Sequence, residues 1–392
     1  MNRQRRNRRA GVEDRWHRAD GSPSASFQIG KRWRARYVDN RSKEHTRAFS
    51  RKSDAQRWLD EVVTTQVTGT YIDPALGSEL FETVAEKWFS TKATRKPKTV
   101  AGYRSLLDTH VLRRWSGVRL SDIHHEDVQD WVNSLSAPGA GFRHRDRALS
   151  PSRAIQAYQI LNQVLKYAIR SRRLASNPAA DVDLPRKSET RKRFLTHRQV
   201  HQLASQTERF ETLTLVLAYC GLRFGEAAGL EVGDLDLSAA RIRVRQSATA
   251  VTGRGIVVGP TKNHTARSVP VPAFLVDMLT GHIVGSAPGD LVFPSRKGGY
   301  LPLGEYRWAF DKGAAAIGID DLIPHELRHT AASLAIQSGA NVKVIQRMLG
   351  HKSATLTFDL YGHLYPDDLD DVANALDASG RQFLKSTTDR PR

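Results

Sequence analysis

The spacing of apolar residues changes along the chain, and this change limits the folds that its 392 residues can adopt. Between residues 32 and 37 the period is two, which is typical of a strand with one buried face. The apolar members are Trp33, Ala35 and Tyr37, and the basic members are Arg32, Arg34 and Arg36. From about residue 78 the apolar residues recur at helical spacing instead. A small sheet followed by a helical domain is therefore expected.

The fold class predicted from this spacing is a multidomain, mainly α chain with small β-sheets. Residues 1–76 are expected to hold a basic tail, disordered to about residue 25, and a three-stranded sheet with one helix. Residues 77–187 should be all helical, with one helix capped by Ser150 before Pro151. Residues 188–392 mix helices with a β-rich patch and are expected to be α+β.

Charge indicates a polyanionic partner. Lys and Arg number 60 against 41 Asp and Glu, which gives a net charge of +19 spread along the chain. Such a distribution favours contact with a long duplex such as DNA, although a merely soluble basic protein would also show it. The candidate DNA-binding residues form three groups: Arg32, Arg34 and Arg36 on the strand; Arg143, Arg145 and Arg147 in a loop; and Arg191, Lys192 and Arg193 in a connector. A solvated surface is the alternative for each group.

Several classes of protein do not fit the composition. No apolar run approaches the length of roughly 18 residues that a membrane span needs. The arginines at the N-terminus precede no apolar stretch, so we expect no secretory signal and no membrane partner. The single cysteine, Cys220, can form no internal disulfide, which fits a reducing cytoplasm.

One short motif has two interpretations. His325-Glu326-Leu327-Arg328-His329 matches the H-E-x-x-H pattern of zinc metalloproteases. The third ligand of the extended zinc motif would fall on Ala335, and no glutamate follows Glu326, so a zinc site is disfavoured. Alternatively, His325 and Arg328 lie three residues apart on one side of a helix and can face the same phosphate.

The second interpretation fits a larger ordered set: Arg223 after Gly221, Lys262 at a hairpin tip, His325 and Arg328, His351 after Gly350, and Tyr361 before Gly-His-Leu. At these residues the chain resembles the tyrosine recombinases of the phage integrase family. The resemblance is close over about residues 195–375. It implies an arm-type DNA-binding domain at 1–76, a helical, SAM-like core-binding domain at 77–187 and a catalytic domain at 188–392.

The resemblance also implies a mechanism. Tyr361 would attack a DNA phosphodiester and form a 3′-phosphotyrosyl link, with Tyr365 as the rival nucleophile. Arg223 and Arg328 would clamp the phosphate oxygens, and His325 and His351 would add hydrogen bonds. Lys262 would protonate the leaving 5′ oxygen. Glu226, three residues after Arg223, would orient it. His329 and His363 are expected to be structural.

The implied function is site-specific integration and excision of phage or prophage DNA, without metal, ATP or any other cofactor. The implied partners are double-stranded DNA at core and arm attachment sites, three further copies of the chain in a homotetramer, and directionality and DNA-bending factors. Residues from Leu376 to Leu384 would dock on a neighbouring protomer. The implied location is the nucleoid in the cytoplasm of a bacterial host. A non-catalytic DNA-binding regulator, using the helix-turn-helix-like tract from Glu326 to Leu349, is the main alternative, and a type IB topoisomerase would share the chemistry.

Overall fold

A computed structural model describes residues 10–39, 43–67, 74–138, 148–187, 193–261, 266–364, 373–374, 376–381 and 383. The chain forms two compact units, Met1–Glu189 and Thr190–Arg392, called here the N-terminal and C-terminal units. Both are mainly helical and carry small antiparallel sheets, as the apolar spacing predicts. Within the described ranges, no helix is long and apolar enough to cross a bilayer.

The N-terminal unit begins with a three-stranded antiparallel sheet that packs on one helix. The elements are β1 (Gly11–Asp14), β2 (Trp33–Val38), β3 (Glu44–Phe49) and helix α1 (Lys52–Val67), and β2 is the central strand. Ala35 and Tyr37 of β2 are buried against Ala55 and Leu59 of α1. The predicted apolar face of the strand is therefore the core of this small domain, and the predicted sheet with its helix is confirmed.

Strand β1 corrects one expectation, because it lies inside the segment that was predicted to be a disordered tail. Gly11–Asp14 pairs with β2 in an antiparallel register that sets Glu13 opposite Arg34. The sequence Gly-Val-Glu-Asp shows no run of alternating apolar residues, so its own composition does not indicate a strand. Glu13 instead pairs with Arg34 and Arg36 of β2, and Asp14 pairs with Arg32 just before that strand. Such cross-strand pairs of opposite charge stabilise antiparallel sheets.

The remainder of the N-terminal unit is helical. The helices are α2 (Pro74–Gly77), α3 (Phe81–Ser90), α4 (Pro97–Leu106), α5 (Leu112–Trp115), α6 (His125–Leu135) and α7 (Pro151–Arg170), with a π-helical turn at Leu107–Val111 and a 3-10 turn at Leu120–Asp122. Trp88, Trp115 and Trp131 are buried in one core. The hydroxyl of Ser150 accepts a hydrogen bond from the backbone N–H of Arg153, so the predicted cap of α7 is present. These tryptophans build the domain and are not stacking platforms for bases.

The C-terminal unit surrounds one buried helix. Its helices are α8 (His197–Gln206), α9 (Glu211–Cys220), α10 (Phe224–Ala227), α11 (Ala273–His282), α12 (Leu303–Ala316), α13 (Pro324–Gln337), α14 (Val342–Leu349) and α15 (Ala354–Tyr361). Its strands are β4 (Leu235–Asp236), β5 (Arg241–Val244), β6 (Gln246–Val251), β7 (Gly255–Pro260) and β8 (Arg267–Pro270). Helix α9 is apolar on nearly every side and packs against α8, α11 and α13. Seven of its ten residues are buried, so this helix is part of the core of the unit.

The strands of this unit form two separate sheets beside α9. β4, β5 and β8 make a three-stranded antiparallel sheet, and β6 and β7 make a hairpin. The segment from β7 to β8 contains residues 262–265, which lie outside the described residues. β8 begins at Arg267 and pairs with β5, and Arg267 donates to Glu226, five residues after the end of α9 at Gly221.

Candidate active site

Two helices end in a left-handed glycine just before a predicted catalytic residue. Gly221 terminates α9 with a φ of 63°, and Arg223 follows two residues later. Gly350 terminates α14 with a φ of 65°, and His351 is the next residue. Glycine adopts this backbone conformation without the strain that a Cβ causes, so both helices stop abruptly at these points. The chain changes direction at each glycine, so Arg223 and His351 do not continue the preceding helices.

The two helix ends meet at Gly221. A Cβ on this glycine would lie 2.8 Å from Cδ2 of Leu349 and 3.2 Å from Cβ of Ala331. Glycine is therefore required at position 221 for two reasons, its positive φ and its contact with helices α13 and α14. This contact brings Arg223 and His351, which are far apart in sequence, to the same place.

Arg328 connects these ends from inside the protein. Its side chain is buried in α13, with Nη1 donating to the carbonyl oxygen of Gly221 and Nη2 donating to that of Leu349. Burial and then the positive charge of Arg223 lower the pKa of Arg328 to about 9. Because this pKa is above neutral pH, the guanidinium remains charged there. It also donates to two carbonyls that the helix ends would otherwise leave without donors.

Glu226 holds Arg223 on the surface of this cluster. Its carboxylate is 1% exposed and accepts hydrogen bonds from the backbone N–H and from Nη1 of Arg223, at 3.0 and 2.8 Å. Burial alone would raise the pKa of Glu226, but hydrogen bonding and charge from Arg267, followed by the backbone N–H and charge of Arg223, lower it to about 2. The structure thus places Glu226 where the sequence predicts, as an anionic partner of Arg223.

Tyr361 ends helix α15 with its ring buried. The hydroxyl oxygen lies 2.7 Å from Nδ1 of His329, and the Tyr361 ring is parallel to that of His351, with centroids 6.5 Å apart. Burial raises the pKa of Tyr361 to about 12, although the charge of Arg328 opposes the change. The phenol therefore carries its proton at neutral pH, and a neighbouring base has to remove that proton before the oxygen can act as a nucleophile.

His329 is the functional candidate that sequence reasoning missed, because it was expected to be structural. It lies four residues after His325 on α13, and the two rings meet edge to face with centroids 5.3 Å apart. This spacing places both imidazoles on the same side of the helix, and His329 is the one that contacts Tyr361. The His-Glu-Leu-Arg-His motif contains this histidine, but only its contact with Tyr361 in the structure identifies it as a functional candidate. His325 is more exposed, on the first turn of α13.

His351 is held on its other side by Thr357. Nδ1 of His351 lies 2.9 Å from the buried Thr357 hydroxyl. Burial, then the charges of Arg328 and Arg223, lower the pKa of His351 to about 4. His351 is therefore neutral at physiological pH and provides hydrogen bonding rather than positive charge.

A basic cavity of about 760 Å³ opens beside these residues. Its charged and titratable lining consists of Arg223, Arg267, Lys343, Arg347, His351 and Lys352. Arg223 and His351 belong both to this lining and to the cluster of residues described above. Fixed donors and positive charge around an open cavity fit a phosphate group of a large ligand, which can enter from solvent.

The four predicted DNA-binding arginines that the structure describes are all engaged in contacts within the protein. Arg32 donates to Asp14, whereas Arg34 and Arg36 both pair with Glu13 of β1. Arg193 donates from Nη1 to the carbonyl of Asp320 and from its backbone N–H to Glu326. Six other candidates lie outside the described residues: Lys262, Arg143, Arg145, Arg147, Arg191 and Lys192. The rival nucleophile Tyr365 and the side chain of His363 also lie outside them.

The zinc interpretation finds no further ligand in the part of the chain that the structure describes. No group of three or more His, Cys, Asp or Glu side chains there is arranged to hold a metal ion. His329, one of the two histidines of the motif, directs Nδ1 at Tyr361 instead. The two histidines of the motif therefore contact each other and, through His329, Tyr361.

The chain is similar to known integrases in sequence. The profile of the phage integrase family matches residues 193–367, and that of the phage integrase N-terminal SAM-like domain matches residues 80–136. The integrase of Mycobacterium phage FRAT1 is 30% identical over 279 residues, which cover 69% of this chain and 80% of that protein. A putative prophage phiRv2 integrase of Mycobacterium tuberculosis is 29% identical over 349 residues, covering 82% of this chain and 86% of the relative.

Solved structures show the same fold at lower identity. A Tn1549 transposon integrase in complex with a circular intermediate DNA matches with a TM-score of 0.64 and 19% identity, over 77% of this chain and all of that chain. A lambda integrase dimer bound to a COC′ core site matches with a TM-score of 0.57 and 18% identity, over 92% of this chain and 96% of that chain. The likeness to these structures concerns the fold alone.

The contact at Gly221 predicts a large and specific loss of stability on adding one methyl group. Gly221→Ala should lower the free energy of unfolding of the C-terminal unit by about 2–4 kcal/mol, because both the positive φ and the helix contact oppose a Cβ. Gly253→Ala is the matched control. It has a φ of 76° but no neighbour within 4 Å of the added Cβ, and it should cost only about 1 kcal/mol. Urea unfolding measures both, and equal losses would contradict the close contact.

The low pKa of His351 predicts a stability that decreases in acid. The unfolded chain takes up a proton near the ordinary pKa of 6.5, whereas folded His351 does so only near pH 4. The free energy of unfolding should therefore decrease as the pH falls from 6.5 to 4. His351→Asn should remove about 1–2 kcal/mol of that decrease, since the side chain is only half-buried.

Thermal unfolding from pH 7.5 to 4.5 measures this effect. Gln202→Asn, which changes an exposed side chain of α8 that does not titrate, is the control and should keep the wild-type slope. Parallel pH profiles for the wild-type chain and His351→Asn would show that His351 is not the responsible group.

Proposed function

Because the chain belongs to the phage integrase family of site-specific tyrosine recombinases, we propose that Tyr361 is its nucleophile and that Arg223, Lys262, His325, Arg328 and His351 complete the catalytic set. The observation that supports this most directly is the buried Tyr361 hydroxyl, 2.7 Å from a histidine nitrogen. Arg328, whose charge acts on Tyr361, connects it to the helix ends that carry Arg223 and His351.

The reaction is a reversible transfer of a DNA phosphate to the enzyme. The phenolic oxygen of Tyr361 attacks phosphorus and forms a 3′-phosphotyrosyl bond, while the bond to the 5′ oxygen breaks. His329, in the tautomer with a bare Nδ1, receives the phenolic proton, and Lys262 donates a proton to the leaving 5′ oxygen. A 5′-hydroxyl from a second strand then reverses these steps and rejoins the DNA. The phosphate bond energy is retained throughout, so the proposed chemistry uses neither ATP nor metal.

Charge explains why the arginines are needed. The transition state gathers negative charge on the non-bridging oxygens of the phosphate. Arg223 has a half-exposed guanidinium at the rim of the cavity, whereas Arg328 is buried behind it. Arg223 therefore makes the outer contact, and Arg328 holds the site and supplies charge from below. His351 adds a neutral donor or acceptor beside them.

We propose the boundaries 1–76, 77–187 and 188–392 for the arm-binding, core-binding and catalytic domains. The matches at residues 80–136 and 193–367 fall within the second and third of these ranges. Structures of lambda integrase include a dimer bound to a core site and a tetramer bound to a Holliday junction. For this chain we propose a homotetramer on paired double-stranded attachment sites, with directionality and DNA-bending factors as further partners.

The segment after Tyr361 has features suited to contact between copies. Leu376 and Phe383 are 69% and 67% exposed. Large apolar side chains that stay exposed in one copy can be buried against another. They support the proposed docking of residues 376–384 on a neighbouring protomer.

Replacing the nucleophile should separate binding from cleavage. The probe is a pool of nicked duplexes with a randomised core. The nick lets the short strand released by cleavage dissociate, so the covalent adduct cannot be religated. EDTA is present to remove divalent metal ions. The wild-type chain should form an adduct that survives SDS, and Tyr361→Phe should form none while keeping its DNA affinity. Loss of a nucleophile typically lowers the rate by more than about 10³-fold.

Two further variants sharpen this experiment. Tyr306→Phe removes the hydroxyl of another buried tyrosine in the same unit and should leave adduct formation intact. His329→Phe should slow adduct formation by about 10²-fold, as expected for loss of a base. An adduct that persists in Tyr361→Phe would move the nucleophile to another residue, with Tyr365 the first to test. Absence of any wild-type adduct, or dependence on Mg²⁺, would contradict the proposed chemistry.

The N-terminal sheet predicts a salt-dependent contribution to DNA binding. Arg34 and Arg36 exchange Glu13 for phosphates in this proposal, so Arg34→Gln with Arg36→Gln should reduce the slope of log K against log salt concentration by about 2. Glu13→Gln leaves the same arginines unpaired and should strengthen binding. Fluorescence anisotropy with a 30-base-pair duplex of random sequence measures both. Unchanged binding in both variants would exclude this face as a DNA contact.

A further inference from the structure

Arg267, the first residue of β8, is the most enclosed of the arginines and lysines that line the basic cavity. Its side chain is 10% exposed. Nη1 and Nη2 donate to the two carboxylate oxygens of Glu226 at 3.1 and 2.7 Å. Nε donates to the carbonyl oxygen of Met348 at 2.9 Å. All three nitrogens of the guanidinium therefore have an acceptor inside the protein.

Glu226 consequently serves two arginines at once. Besides the two bonds from Arg267, its carboxylate accepts the backbone N–H and Nη1 of Arg223. A carboxylate offers about four lone-pair positions, so these four bonds fill it. Arg223 is limited to one side-chain bond with Glu226, although arginine and carboxylate otherwise prefer the bidentate arrangement.

We infer that Arg267 is a positioning residue for DNA cleavage, which occupies Glu226 and so keeps the outer N–H groups of Arg223 available to the phosphate. The inference rests on the proposed role of Arg223. Without Arg267, the carboxylate would have an open position and an uncompensated charge, and Arg223 would turn inward to form the bidentate pair. The cation would then be neutralised at the place where the phosphate needs it.

Arg267 also fixes the other side of the site. Met348, whose carbonyl it binds, lies in the last turn of α14, and Gly350 follows. A Cβ on Gly350 would lie 3.0 Å from Cδ of Arg267, so the side chain packs directly on the turn before His351. One residue of β8 thus sets the positions of Arg223 and His351, which belong to segments that are far apart in sequence.

The decisive experiment is a double-substitution cycle on the rate of adduct formation. The probe is the nicked duplex enriched from the randomised pool by the wild-type chain, used with saturating protein so that the rate reports the chemical step. Arg267→Met should slow adduct formation by about 10–100-fold, a size expected when a reacting group is misplaced by about 1 Å. DNA affinity, measured by anisotropy, should change less than about threefold.

Glu226→Gln distinguishes positioning from a general structural effect. In the wild-type background it should slow the reaction, because Arg223 loses its anionic partner. In the Arg267→Met background it should accelerate the reaction by about three- to tenfold, because it releases the captured Arg223. Two substitutions that each damage the fold would instead combine to give a slower enzyme than either alone.

Controls keep the result interpretable. Arg267→Lys preserves charge and one hydrogen bond, so it should fall between wild type and Arg267→Met, and it serves the same cycle where Arg267→Met is poorly folded. Arg245→Met removes an arginine of the same unit that is likewise paired with carboxylates, in its case Glu231 and Asp234, and should leave the rate unchanged.

Three outcomes overturn the inference: a wild-type rate in Arg267→Met, a loss confined to affinity, or a double variant slower than Arg267→Met. These failures differ from failure of the proposed function. If the wild-type chain forms no adduct, or if its adduct does not depend on Tyr361, the proposed function is wrong and the inference fails with it. A wild-type, Tyr361-dependent adduct followed by any of the three outcomes rejects the role of Arg267 alone.

Discussion

The buried guanidinium of Arg328 is the contact on which the site depends, because it joins two helix ends that carry separate catalytic candidates. It donates to the carbonyls of Gly221 and Leu349, which close α9 and α14. Burying a charge without partners would be costly, so these bonds are part of the reason that the cation can lie there. Each carbonyl in turn lacks an intrahelical donor at a helix terminus. The guanidinium thus gains acceptors and the helix-end carbonyls gain donors. These two hydrogen bonds hold the ends of α9 and α14 together, which sets the geometry of the site.

Around this contact, positive charges outnumber negative charges. Three arginines, at positions 223, 267 and 328, surround the single carboxylate of Glu226. Burial is the largest cause of the lowered pKa of Arg328, and repulsion from Arg223 and then from Arg267 adds to it. An entering phosphate would relieve this repulsion. Burial, followed by the charges of Arg328 and Arg223, lowers the pKa of His351 to about 4. The charge of Arg328 also offsets part of the burial that raises the pKa of Tyr361. The site thus favours an anion, and Tyr361, the proposed nucleophile, carries its proton at neutral pH.

Sequence reasoning recovered what local patterns encode. The alternation around Ala35, the Ser150 cap and the glycines before Arg223 and His351 each depend on neighbours within a few residues, and each predicts its structure correctly. The roles within the catalytic set came from the ordered motifs and their resemblance to a family. Arg267 and His329 were missed because their partners, Glu226 and Tyr361, lie 41 and 32 residues away in sequence. Strand β1 was missed because charges on another strand, rather than its own apolar pattern, account for its pairing.

Net charge illustrates how far composition can mislead about the position of a binding surface. The excess of +19 correctly favours a polyanionic partner, but it says nothing about which cations face that partner. Arg32, Arg34 and Arg36 alternate as a DNA-facing strand should, yet Glu13 and Asp14 already pair with them. These pairs are partly exposed, so water screens them and exchange of a carboxylate for a phosphate costs little. The buried pair of Glu226 with Arg267 is different, because leaving either member unpaired in a desolvated position is expensive. Arginines in partly exposed pairs, such as Arg34 and Arg36, can exchange a carboxylate for a DNA phosphate. A buried arginine such as Arg267 instead fixes the shape of the site.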